Sequence, residues 1–204
     1  MPAGVSFPKK GEKTMQNKNL RSLTEGAVMV ALSLALSYLK IPIGLAFGGF
    51  GGSIDLVMLP LLVYALHRGL GWGLGAGLVF GTLKYFFANG AALNWESMLL
   101  DYSVAYMFVG FAGLLRGKRI EGRAWAMPVG ALVGCAARFV IHYLSGITIY
   151  AEYFEESFLG ASGLTPATYS LLYNGTYMLP NTVLAVILCA LLEKPLRLLF
   201  QRID

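Results

Sequence analysis

A few polar side chains interrupt otherwise apolar stretches: Asp55, Lys84, Asp101, Arg138, His142 and Asn174. Charge in an apolar setting is costly unless it pairs or binds something, so these positions are the first candidates for chemistry. His142 follows Arg138 by four residues, which puts both on one helical face. Aromatic residues recur nearby in the chain: Phe47, Phe50, Trp95, Tyr102, Tyr143, Tyr150, Tyr153, Phe154, Tyr169 and Tyr173. Carboxylates among aromatic rings can hold a flat, cationic ring. Each face attracts a desolvated cation by ~0.5–2 kcal/mol, and a carboxylate accepts its hydrogen bonds. A purely structural reading stays open for both sets. Aromatics also form interfacial belts in membrane proteins, and Asp55 or Asp101 can pair with Lys84 or Arg138. His142 and Ser145 raise a third option, a hydrolase. Three residues apart on one helix, they leave no room for substrate, and the sequence shows no orienting acid or nucleophile turn beside them. No enzyme activity is expected.

The elements that carry these residues are apolar. Hydrophobic residues make up 56% and charged residues 13%, with mean hydropathy +0.62, whereas soluble domains average about 25% charged. Cys135 and Cys189 read as packing residues, since no CxxC or Cys/His cluster accompanies them. Spanning a bilayer takes roughly 20 apolar residues, and six segments approach this: Leu23–Ile43, Ile54–Leu66, Leu70–Ala88, Ser97–Leu115, Trp125–Ile147 and Thr168–Leu192. The fold expected is an all-α integral membrane bundle of six transmembrane helices. Residues 1–20 read as a flexible basic leader, with Met15 an alternative start. Residues 21–204 read as the membrane domain.

Of the 16 Lys and Arg residues, 13 fall before span one, between spans two and three, between four and five, or after six. In so apolar a chain this excess marks cytoplasmic loops rather than nucleic-acid binding, and it places both termini in the cytoplasm. Depth then follows. Lys40, Lys84, Arg138, Asp55, Asp101, His142 and Asn174 lie in the outer half, and the inner half is nearly all apolar. A channel needs polar groups along its depth, and a secondary transporter a midplane site with related halves. An outer pocket above an apolar plug describes instead a receptor that needs help to release its ligand inward. Asn181, midway along span six, is the main polar residue left over. The long segment Thr148–Ala167 is the candidate lid.

Two small-residue ridges repeat every four residues: Gly69, Gly73, Gly77 and Gly81 in span three, and Ala27, Ala31 and Ala35 in span one. Such ridges allow close helix approach. Internal packing is expected for the first. Spacing leaves the second open between internal packing and a partner.

In order and spacing, LTEGAVMVALSLALSYL, IDLVMLPLLVYALHRGLGWGLGAG, LLDYSVAYMFVGFAGLLR, ARFVIHYLSG and YSLLYNG resemble the thiamine-specific S components (ThiT family) of energy-coupling factor (ECF) vitamin transporters, over nearly all the chain after Met15. The resemblance implies a six-helix thiamine binder in a bacterial plasma membrane. It implies partnership with a transmembrane coupling subunit and two ATPase subunits. ATP would be used by those subunits, and no cofactor is expected in this chain. Ala27, Ala31 and Ala35 match the ridge that faces the coupling subunit.

The ligand residues implied are Asp101 and Tyr102, where many relatives carry Glu-Tyr, with His142 and Gly146 in the fifth helix and Tyr169 and Asn174 in the sixth. Asp55 matches an acid opening the second helix. Tyr150 stands where relatives stack a Trp. Gly51 falls near a loop Trp, for which Phe50 substitutes, and Trp95 is the aromatic nearest a missing Tyr before the fourth helix. The alternatives are an S component for another vitamin, or a stand-alone secondary transporter or channel.

Overall fold

The computed structural model describes residues 10–43, 51–88, 90 and 92–203. It is mainly helical. The helices are α1 (Lys10–Leu36), α2 (Met58–Arg68), α3 (Leu70–Phe87), α4 (Trp95–Ile120), α5 (Ala126–Thr148) and α6 (Pro166–Ile203). Each predicted span overlies one of them, with different ends. Residues 10–20, expected as a leader, continue α1, and residues 1–9 lie outside the described residues. Span two begins later than expected, at Met58, and α6 continues beyond Leu192 through Pro195.

Two short antiparallel ribbons, which the sequence reading did not foresee, accompany the helices. β1 (Ile41–Pro42) pairs with β2 (Ser53–Ile54), and β3 (Ser157–Phe158) pairs with β4 (Ala161–Ser162). Pairs of two residues are too short to leave an alternating pattern in a sequence. The second ribbon turns through Leu159 (φ 52°) and Gly160 (φ 82°), the left-handed conformations that a two-residue hairpin loop requires.

α2 is the central element. Met58 and the residues from Leu61 to Leu66 are buried, and they pack with Phe80, Tyr106, Val109, Met127 and Cys135 from three other helices. The glycine ridge of α3 meets α4. A Cβ at Gly77 would lie 2.1 Å from the Tyr106 carbonyl oxygen, and one at Gly81 2.2 Å from that of Tyr102. The ridge therefore packs internally. α4 is irregular where it meets the ridge, with a π-helical turn at Leu99–Val104 and a 3₁₀ stretch at Gly110–Leu115. The alanine ridge behaves differently: Ala27, Ala31 and Ala35 are exposed on α1.

Polar and apolar groups are inverted relative to a water-soluble globule. Asp55, Lys84, Arg138, Asn174 and Asn181 are buried, while Leu32, Val79, Leu132, Val140, Leu179 and Leu191 face outward. Among the described residues, two helices, Trp95–Ile120 and Ala126–Thr148, are long and apolar enough to cross a membrane.

Arg68, Arg116, Arg119 and Arg197 gather at one end of the bundle. Arg68 forks onto Glu25 at 2.7 and 2.6 Å. Arg116 and Arg119 donate to the carbonyls of His67 and Leu66 at 2.8 and 2.9 Å, which satisfies acceptors that the end of α2 leaves open. Arg197 of α6 donates to the Gly122 carbonyl (3.0 Å).

Candidate functional site

A cavity of about 120 Å³ opens at the other end of the bundle, between α4, α5 and α6. Asp101 and Tyr102 reach it from the π-helical turn of α4. A π turn inserts one extra residue into the helix and re-aims the side chains beside it, and such turns recur at functional sites. From α5 come His142, Ser145 and Gly146. His142 Nδ1 lies 3.2 Å from Asp101 Oδ1. An orienting acid therefore does accompany His142, contrary to the sequence reading, because the two come from different helices. Two buried polar atoms on this wall, His142 Nε2 and Ser145 Oγ, have no hydrogen-bond partner among the described residues. They do not bond each other, so no nucleophile–base pair is formed.

Gly146 is set by packing. A Cβ there would sit 2.1 Å from Ser170 Oγ, so only glycine lets α5 and α6 close at this level. Ser170 Oγ then donates to the Tyr143 carbonyl at 3.1 Å. Asn174 Nδ2 donates to Ser170 O (2.9 Å) and Oγ (3.2 Å), and its Oδ1 accepts from Tyr177 OH at 2.5 Å. The amide is thereby held in one orientation on the cavity wall.

The rest of the wall is aromatic. Tyr169, Tyr173 and Tyr177 recur every four residues on one face of α6. The first two rings are parallel with centroids 5.9 Å apart, and Tyr177 meets Tyr173 edge-on at 6.0 Å. Phe158, from the ribbon inside the predicted lid, packs edge-on against Tyr169 and Tyr173 at 5.4 and 6.0 Å. The Tyr173 hydroxyl accepts from the Gly51 amide (3.0 Å) and donates to the Gly51 carbonyl, so it joins the first outer loop to α6. Tyr150 and Tyr153, just past α5, complete the wall. Burial pushes the Tyr150 phenol up to about 12, with the Asp101 carboxylate adding to the effect. It stays a neutral ring with a hydroxyl at any physiological pH.

An adjoining cavity of about 240 Å³ shares Gly51, Asp101, Tyr102, His142 and Tyr177 with the first and reaches Lys84, Tyr106 and Arg138.

Of the residues expected in the site, Asp101, Tyr102, His142, Gly146, Tyr150, Tyr169 and Asn174 line the cavity. Asp55 and Trp95 do not. Asp55 accepts from Ser53 Oγ (2.9 Å) and from the Val57 amide at the start of α2 (3.2 Å), and it lies 3.6 Å from Lys84 Nζ. This is the structural pairing that the sequence left open. Trp95 is 66% exposed at the start of α4. Phe47 and Phe50 lie outside the described residues. Asn181 also has a structural place: it bonds the Asp55 amide and the Ser53 carbonyl (2.9 and 2.7 Å), tying β2 to α6. Sequence reasoning missed Tyr177 and Ser170 and gave Tyr153 and Tyr173 no place in the site. The four-residue spacing from Tyr169 was the signal available for the α6 tyrosines. Among the described residues, no group of three or more His, Cys, Asp or Glu is arranged to hold a metal ion.

A site so built can take a flat, cationic ligand. It offers one carboxylate, tyrosine faces and unpaired polar atoms. Comparison with known proteins points the same way. The family model described as "Thiamine transporter protein (Thia_YuaJ)" matches residues 23–201. The thiamine transporter ThiT of Bacillus subtilis (strain 168) is 29% identical over 198 residues, covering 90% of this chain and 96% of that protein. ThiT of Lacticaseibacillus paracasei is 28% identical over 189 residues, covering 87% and 89%. The solved structure of ThiT from Listeria monocytogenes superposes with a TM-score of 0.74 at 26% identity, covering 90% of this chain and 98% of that one.

Proposed function

This chain belongs to the thiamine transporter protein family, and from that membership we propose that it is the membrane-embedded thiamine-binding subunit, or S component, of an ECF-type ABC importer. The observation that carries the reading is the Asp101–His142 pair, 3.2 Å apart, on the wall of a tyrosine-lined cavity. Thiamine has a permanently cationic thiazolium ring and a flat aminopyrimidine. Asp101 supplies the compensating charge and accepts hydrogen bonds. Tyr102, Tyr150 and Tyr169 offer ring faces. Asn174, fixed by Ser170 and Tyr177, and the unpaired His142 Nε2 and Ser145 Oγ present polar edges. Gly146 keeps the α5–α6 wall thin. Asp55 and Trp95 act elsewhere, Asp55 by holding the Val57 amide ahead of α2 and pairing with Lys84.

The bundle sits across the plasma membrane with six spans and both termini in the cytoplasm. The outward apolar residues and the basic residues gathered at one end support this. The cavity then faces outside, and the outer acids Glu152, Glu155 and Glu156 raise the local concentration of a cation. The core below the two cavities is apolar, so release inward requires a partner. The exposed Ala27, Ala31 and Ala35 ridge is the surface that a coupling subunit approaches, and two ATPase subunits on that subunit consume the ATP. This chain performs no chemical step and carries no cofactor.

Ligand carried through purification tests the reading. Mass spectrometry of a denatured extract is expected to find thiamine close to one per chain. A different vitamin in that place, or none after growth in excess thiamine, contradicts it.

A further inference from the structure

Behind the tyrosine-lined cavity, two buried cations share one phenol. Lys84 Nζ donates to Tyr106 OH at 2.6 Å, and Arg138 Nη2 donates to the same oxygen at 3.1 Å. The two residues are 8% and 6% exposed. Asp55 stands 3.6 Å from Lys84. Among the described residues, no carboxylate is within ion-pair distance of Arg138. Its Nη1 faces the Met58 sulfur (3.2 Å), and its Nε has no hydrogen-bond partner among the described residues. An arginine does not shed its proton, so the cluster holds two positive charges against one nearby negative. Buried charge left so is strongly unfavourable.

Both cations border the 240 Å³ cavity. Asp101 borders it too, on the wall shared with the first cavity, where its charge is the one assigned to the cationic ligand. We propose that this second cavity is a small-anion site, in which a halide or an oxyanion neutralises Arg138 and Lys84. Tyr106, whose hydroxyl accepts from both cations and keeps its own hydrogen, lies beside it as a donor. The two cavities share the Asp101, His142 and Tyr177 walls, so the anion is also a neighbour of whatever fills the first. For a cationic ligand this arrangement cancels the repulsion from Lys84 and Arg138. The coupling part of the inference rests on the thiamine reading, whereas the anion site itself does not. A free ion and a phosphate ester carried by the ligand offer the same chemistry.

Chloride-35 NMR on the purified, thiamine-free protein in a gluconate buffer tests the site directly. Added chloride is expected to show saturable line broadening beyond that of the detergent alone. Arg138→Gln should abolish it and Arg138→Lys should keep part of it. Absence of broadening, or broadening that persists in R138Q, overturns the proposal. If R138Q does not fold, the wild-type titration alone decides. In a second arm, thiamine affinity should rise about tenfold from gluconate to chloride at constant ionic strength, within the usual range for coupled sites. Thiamine monophosphate that binds tightly in gluconate and gains nothing from chloride identifies the ester as a second source of the same anion. Equal affinity in both salts for both ligands overturns the coupling. Failure of thiamine to bind in either salt defeats the thiamine reading and leaves the NMR result to judge the anion site.

Discussion

Asp101 lies on the π-helical turn of α4, paired with His142 of α5. Asp101→Asn keeps its size and removes its charge. A charge-assisted hydrogen bond in a buried site is worth about 1.5–3 kcal/mol, so thiamine affinity should fall roughly 10- to 150-fold. Isothermal calorimetry reads this, and unchanged heats would remove Asp101 from the site. Calorimetry is preferable to tryptophan fluorescence because Trp95 is exposed away from the cavity. Tyr150 tests the stacking role. Its phenol is neutral, so its contribution is a ring face. Tyr150→Ala should cost about 0.5–1.5 kcal/mol of binding, while Tyr150→Trp should be tolerated. Equal affinity for parent and alanine variant excludes that role. The cavity-wall residues legible in the sequence were those with motif partners: Asp101-Tyr102, His142 with Gly146, and Tyr169 with Asn174. Ser170 was not, because its place depends on Gly146 of another helix, and Tyr177 was marked only by its four-residue spacing from Tyr173. Asp55 was placed in the site for the opposite reason. Its position suited either role, and only the 3.6 Å approach of Lys84 separates them.

The two small-residue ridges show why spacing alone does not assign a helix face. Both repeat every four residues, yet one packs inside and the other faces out. At Gly77 a Cβ would lie 2.1 Å from a backbone oxygen of α4, whereas at Gly75 nothing is within 4 Å. Gly77→Ala should therefore lower stability by about 1–3 kcal/mol through overpacking, and Gly75→Ala should be neutral or slightly stabilising. A thermal-shift assay in detergent compares them, and equal melting temperatures would contradict the α3–α4 packing. Ala31 is exposed on α1, in the middle of the other ridge. Ala31→Trp should leave thiamine binding by the isolated protein intact and reduce ATP-dependent uptake, because bulk there keeps a partner helix at a distance. Lost binding with poor expression would mean that the ridge packs internally. Helix positions were readable from apolar runs. The two ribbons were not, since each depends on pairing between loop segments with no periodic signal of their own.

At the scale of the molecule, Arg68, Arg116, Arg119 and Arg197 collect at one end and the tyrosine-lined cavity at the other, with Lys84 and Arg138 buried behind it. Charge distribution alone predicted that polarity. The Tyr173–Gly51 link and the second cavity arise only when the first outer loop and ribbon meet the helices. The central claim is that this chain binds thiamine and does not carry it across by itself. Radiolabelled thiamine uptake into liposomes tests it most directly, using the purified protein alone and then with an ECF coupling module and internal ATP. The account predicts about one bound thiamine per chain and no accumulation for the protein alone, then accumulation above that level once the module and ATP are both present. Thiamine accumulating inside liposomes that contain only this chain would contradict it.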